Sequence, residues 1–293
     1  SILSFFLVLV IMAILYIEYR SRSKSKYYNT GLGSSRRLPI IELGPWKWPA
    51  QIFCVTIISF GLIIPLGVMI YWFIRGISSG ESFPNIGELI FNTVFISGLA
   101  TLVVISSSLA VALFIVKFPN KLSVVLERLI YLGFAMPGIV IALSLVSFGS
   151  RYAPGLYQSL GMLVFAYTIL FLPLGVGTIR SSLLVINPRL EEAASSLGLG
   201  QSKIIRKVTI PLIRSGLVAS SALVMLTTMK ELPATLLLSP IGFRTLATQV
   251  WSDTEAAFFF KACVSGLVLV IISTLILTII LHHEKKNEQG VWI

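Results

Sequence analysis

The chain has 293 residues, of which 56% are hydrophobic and 12% charged, and its mean hydropathy is +0.91. A soluble globular domain carries about 25% charged residues, so this composition excludes one and points to a protein that lies largely in lipid. The formal charge of +11 would suit a nucleic-acid surface in a soluble protein; in a membrane protein it marks cytoplasmic loops, and no nucleic-acid partner is expected.

A helix needs about 20 apolar residues to cross a bilayer. Seven candidate spans follow in chain order, near 1–17, 50–74, 90–116, 125–148, 159–181, 211–229 and 258–281. The fold class is therefore all-α, a polytopic bundle of membrane helices. The first run, "SILSFFLVLVIMAILYIEYRSRSK", has its basic residues after the apolar stretch, the reverse of a signal peptide. It reads as the last transmembrane helix of an upstream half. Residues 18–49 are basic and rich in Ser and Gly, as a cytoplasmic linker should be, and Tyr19, Trp46 and Trp48 suit an interfacial belt. Residues 50–281 then form a second module of six helices, and 282–293 a cytoplasmic tail.

Positive charge sets the orientation. With the polar stretch around 187–213 inside, segments 18–49, 117–128, 180–214 and 282–293 hold seven, three, six and two Lys/Arg. The opposite side holds five: Arg75, Arg151, Lys230, Arg244 and Lys261. Eighteen of the 23 basic residues thus fall on one side, which makes the C-terminus cytoplasmic in a multi-pass protein of the plasma (inner) membrane.

Cys54 and Cys263 sit in apolar runs and read as small buried hydrophobes, not as a disulfide or metal pair. His282 and His283 are adjacent, so they point in different directions on a helix and suit an interface. No His/Cys/Asp/Glu cluster has ligand spacing, so no metal site or bound cofactor is expected. Ser, Gly and Ala enrich two spans, "SGLATLVVISSSLAVAL" and "SGLVASSALVML", where small residues let helices approach closely. Pro65, Pro137 and Pro173 lie in or near spans. Each frees a backbone carbonyl, and each is either a simple kink or part of a pathway lined by broken helices.

The polar stretch "NPRLEEAASSLGLGQSKIIRKVTIPLI" has helical grammar. Asn187 is a good N-cap and Pro188 a good first residue, and Glu191 and Glu192 suit the positive end of the macrodipole. Leu190, Ala193, Ala194 and Leu197 share one face, and Gly198 and Gly200 stop the helix. A second short helix, "QSKIIRKV", follows, and Pro211 opens the next span. Such a helix either rests on lipid headgroups or docks a partner; alanines at its centre leave room for a partner, and Glu192 can pair with a basic residue there.

The spacing Glu192-Ala193-Ala194, three residues, Gly198, nine residues, Val208, one residue, Ile210, Pro211 resembles the EAA signature of ATP-binding-cassette (ABC) importer permeases of type I. Val208 and Ile210 stand where Ile and Leu are usual. "AMPGIVIALSLV" and "KELPATLLLSPIGFRTLATQVW" extend the resemblance, the latter toward ferric-iron permeases built as two homologous halves. The resemblance implies that Glu191, Glu192, Ala193, Ala194, Leu197, Gly198, Val208, Ile210 and Pro211 couple the chain to a separate ATPase dimer at the cytoplasmic face. ATP and magnesium would be used by that partner. The chain itself is expected to be no enzyme, since it lacks G-x-x-x-x-G-K-[ST]. It also implies an extracytoplasmic binding protein and a second permease half as partners.

Lys230 and Glu231, just before Pro233, are candidates for a substrate pathway with Pro137 and Pro173. If the span ends at Met229 they lie at the external interface. If it continues to Leu238 they lie in the membrane, where a lone charge costs roughly 2.5–3.5 kcal/mol and usually faces the bundle interior. External loops at 75–90, 149–158 and 239–257 offer Arg75, Glu81, Arg151, Arg244, Asp253 and Glu255 for polar docking. Ferric iron is the favoured substrate. Thiamine, sulfate, molybdate, polyamine and phosphonate permeases share the general signature. A secondary transporter is the remaining alternative, although it would more often carry ionisable residues mid-span.

Overall fold

The computed structural model describes residues 44–289, and every structural statement below concerns those residues. The expected span at 1–17, most of the linker at 18–49 and the last four residues of the tail lie outside them.

The first helix, α1 (Gly44–Ser78), begins six residues ahead of the expected span. Pro45 and Pro49 fall in its opening turns, where a missing N–H costs nothing. Within α1, Ser59–Ile63 form a π turn just before Pro65. The proline ring excludes the carbonyl of Gly61, and the wider turn accommodates it. Three more long helices match the expected spans: α2 (Ile86–Lys117), α5 (Leu160–Val185) and the apolar part, Phe259–Ile280, of α11 (Phe259–Gln289).

Two expected spans are not single straight helices. The apolar stretch at 125–148 divides into α3 (Lys121–Ala135) and α4 (Gly138–Tyr152), which meet at about 100°. Pro137 causes the break. Its ring shuts out the Gly133 carbonyl and drives Met136 into an extended conformation, and the Met136 N–H bonds to Gly133 at 3.3 Å. The span expected to open at Pro211 is also broken. Pro211 lies inside α7 (Gln201–Leu212), and the membrane part, α8 (Arg214–Met229), departs from it at 70°. Between α5 and α7 lies the polar helix α6 (Pro188–Ser196). After α8 come two short helices, α9 (Pro233–Leu238) and α10 (Leu246–Glu255).

The bundle is centred on α2, α5 and α8, which all pack on one another. On one side α3 and α4 cover α5, with α9 wedged against α4 and α5. On the other side α11 lies along α8, and α1 and α10 lie on α11. One apolar core joins α2, α4, α5, α8 and α9 through Val104, Leu145, Leu163, Val224 and Leu238. A second joins α2, α3 and α5 through Ala112, Ile115, Ile130 and Ile179, with Ile213 at the α7–α8 bend.

Close approach rests on glycine and serine, as the small-residue runs predict. Gly175 of α5 faces Ser108 of α2, and Gly216 of α8 faces Ser182 of α5, each too closely for a Cβ. The Ser108 and Ser220 hydroxyls donate to the carbonyls of Leu172 and Gly175, both at 3.4 Å. These bonds flank Pro173, whose missing N–H leaves the helix weakest there. Pro173 thus sits in a packed seam of three helices.

Candidate functional site

Helix α6 forms as its sequence dictates. The Asn187 side chain accepts from the Arg189 N–H at 3.1 Å, and Pro188 takes the first position. At the other end the Gly198 N–H reaches Ser195 at 2.9 Å and the Leu199 N–H reaches Ala194 at 3.2 Å. This is a Schellman closure, and it requires the left-handed backbone of Gly198, at φ +82°. Gly200 has ordinary dihedrals and serves as the N-cap of α7.

The predicted coupling residues divide between two faces. Glu191 and Ala194 turn toward the bundle, and Ala194 is 7% exposed. Glu192, Ala193 and Gly198 are exposed, as are Leu190 at 49% and Leu197 at 83%. The apolar face expected over Leu190, Ala193, Ala194 and Leu197 is thus covered within the chain only at Ala194. Of the distal residues, Val208 and Ile210 are half-buried and Pro211 is exposed.

Sequence reasoning missed what holds α6 in place. The Glu191 carboxylate accepts from the Thr209 hydroxyl at 2.6 Å and lies 3.1 Å from the Lys117 ammonium. Lys117 ends α2, and Thr209 ends a π turn, Ile205–Thr209, that precedes Pro211. Burial works against the charge of Glu191, yet the Thr209 hydroxyl and Lys117 outweigh it and hold the carboxyl below the usual carboxylate range. A second ion pair, Arg180 to Glu127 at 2.9 Å, ties α5 to α3.

The second candidate region is where two helix breaks meet. Helix α8 ends at Met229 after 16 residues, about 24 Å and short of the roughly 30 Å hydrocarbon thickness. Lys230 is exposed and Glu231 half-buried. The Glu231 carboxylate accepts from the Ala234 N–H at 3.2 Å, which caps α9. The same oxygen lies 3.3 Å from where a Cβ on Gly138 would stand, so it borders the first residue of α4. The Glu231 carbonyl takes the Thr235 hydroxyl at 2.6 Å, and Thr235 pairs with the buried Tyr167 hydroxyl of α5 at 2.6 Å. The structure therefore brings Glu231 and Pro233 together with the Pro137–Gly138 break. Pro173 is apart from them, in its own seam.

Of the polar residues expected in external loops, Asp253 is not available for docking. It is buried and accepts from Gln249 at 2.9 Å. Arg75 stacks over Trp72, with 5.1 Å to the ring centre, and Arg244 reaches Gln249 at 3.4 Å. Among the described residues no three His, Cys, Asp or Glu side chains gather into a group that could hold a metal ion.

A bundle of broken helices with a capped polar helix between spans is the architecture of a polytopic helical membrane protein. Residues 102–286 match the family model described as the binding-protein-dependent transport system inner membrane component, and the chain belongs to that family. It is 35% identical over 276 residues, 93% of its length, to the Fe(3+)-transport system permease protein FbpB 2 of Haemophilus influenzae. It is 27% identical over 164 residues, 56% of its length, to a putative 2-aminoethylphosphonate transport system permease protein, PhnV, of Salmonella paratyphi A. The chain spans 54% of the first relative and 62% of the second. Its fold is similar to that of a chain in a bacterial ABC transporter involved in the import of the polysaccharide alginate. That match has a TM-score of 0.69 and 16% identity, and covers 82% of this chain and 96% of that one.

Proposed function

We propose that this chain is a transmembrane permease subunit of an ATP-driven importer and that it carries ferric iron. The observation that carries the first part is the division of α6 into two faces. Glu191 and Ala194 fasten the helix to the bundle, while Glu192, Ala193 and Leu197 stand free to enter a groove on an ATPase subunit. An amphipathic helix lying on lipid would present a broad apolar face; here one side of α6 is already taken by its own chain. The ATPase dimer binds and hydrolyses ATP with magnesium, and its motion reaches the spans through α6. Val208, Ile210 and Pro211 belong to the arm between α6 and α8. The other partners are an extracytoplasmic binding protein, a second permease half and the bilayer, with the C-terminus cytoplasmic.

The iron assignment is supported by the 35% identity to an iron(III) permease over nearly the whole chain. A phosphonate is the second reading, supported by the shorter match to PhnV. Glu231 is the side chain we assign to the pathway, because it joins two broken helices in a span too short to cross alone. Lys230 and Pro233 flank it, and Pro137 sets the opposing break.

The test uses the full-length permease reconstituted with its ATPase and binding protein. Glu192→Lys and Gly198→Arg are expected to weaken ATPase retention and uptake by about tenfold or more. The first reverses a docking charge, and the second forces a side chain into left-handed backbone at a cost of about 1–3 kcal/mol. Retention and uptake at wild-type levels in both variants would sink the coupling assignment. Uptake of labelled Fe(III) measured against labelled 2-aminoethylphosphonate decides the cargo.

A further inference from the structure

The docking face of α6 is only half of a transmission; the other half is what α6 pushes against. Its packing within the chain runs chiefly along α7, the arm that leads to α8. Glu191 gives it a separate attachment. The carboxylate stands in the first turn of α6, and the ammonium that meets it stands in the last turn of α2. Each charge also complements the macrodipole of its own helix, negative at an N-terminus and positive at a C-terminus. Thr209, fully buried, adds a hydrogen bond from α7 to the same oxygen. Two neighbouring elements, α6 and α7, and the distant α2 thus converge on one carboxylate.

An exposed ion pair would matter little. This one is sheltered, with the Lys117 and Glu191 side chains 14% and 28% exposed. Its second donor is a hydroxyl with no access to water. Thr209 is the last residue of the π turn that links the start of α7 to Pro211.

We infer that Lys117 and Thr209 are positioning residues that clamp α6 through Glu191, so that α6 moves with the cytoplasmic end of α2 as one body. This rests on the coupling role proposed for α6 only for its functional consequence; the clamp itself is a statement about this chain. With α2 central to the bundle, a push on α6 reaches α5 and α8 directly as well as through the α7–α8 bend.

The experiment measures amide hydrogen exchange at residues 188–199 of the full-length permease in lipid nanodiscs, which needs no cargo. It then measures Fe(III) uptake per ATP hydrolysed in the reconstituted complex. Lys117→Met and Thr209→Val are each expected to raise exchange across α6 by about tenfold while leaving exchange in α5 unchanged. The conservative variant Lys117→Arg, which keeps a cation at the end of α2, is expected to keep exchange slow, which a requirement for the lysine's packing alone would not do. In the complex the single variants keep the ATPase bound and lose uptake per ATP. Unchanged exchange in both single variants overturns the clamp, as does a rise in Lys117→Arg as large as that in Lys117→Met. Failure of the coupling role is separately visible, because the exchange results then hold while Glu192→Lys still retains the ATPase.

Discussion

Helices α1 and α5 are close in hydropathy, at 2.5 and 2.0 over their most apolar stretches, and opposite in what they bury. None of that stretch of α1 is buried within the chain, against 61% of α5. In water such a difference would be costly. In lipid the tails are as apolar as leucine, so nothing forces α1 onto the bundle. What distinguishes the two is small and polar residues. On α5, Gly175 lets Ser108 in, Tyr167 reaches Thr235, and Ala166 is fully buried. On α1, Gly61 and Gly67 meet nothing within 4 Å. Only its C-terminal end is pinned, where Gly76 accepts the Phe260 ring and Met69 lies against Gly266 of α11. Hydropathy therefore tells which segments enter the membrane, and close contacts tell which ones build the bundle.

Substitutions paired across the two helices test that lesson. Gly175→Leu is expected to have the largest effect, since its side chain would meet Ser108 of α2 at once. Overpacking costs about 1–3 kcal/mol and sometimes more, enough to lower the thermal midpoint of the detergent-solubilised protein markedly. Gly67→Leu on α1 is expected to leave the midpoint unchanged, and equal losses in the two variants would break the comparison. A smaller contrast comes from Tyr167→Phe and Tyr71→Phe. The first removes a buried hydrogen bond inside the bundle, worth about 0.6–1 kcal/mol. The second removes a hydroxyl from an exposed ring beside Trp72 and should cost nothing measurable. A Tyr71→Phe loss as large as that of Tyr167→Phe would mean that α1 is held by contacts of its own.

Much of this arrangement was legible in the sequence, and the rest failed for identifiable reasons. Hydropathy located α2, α5 and α11, and the cap, the glycine stop and the length of α6 followed from Asn187, Pro188 and Gly198. Pro137 was visible as a possible kink, but its angle of about 100° was not. Helix α4 packs against α9, some 90 residues downstream, and no local pattern announces that contact. Lys117 looked like one more basic residue of a cytoplasmic loop. Its partner is 74 positions away, and no local pattern links the two. Glu191 and Glu192 are neighbours of the same type, and only the fold shows that one faces in and the other out.

The π turns before Pro65 and Pro211 carry a consequence for helical phase. Each adds about one residue to a turn, close to 100° of rotation at 3.6 residues per turn. A stripe traced by ordinary spacing from the α11-facing residues Trp72, Met69 and Gly76 back past Ser59 therefore emerges on the wrong side of α1. Removing a single residue from Ile205–Thr209 would restore regular winding and turn Gln201–Ile204 about a quarter of a revolution relative to Pro211, out of phase with their present contacts.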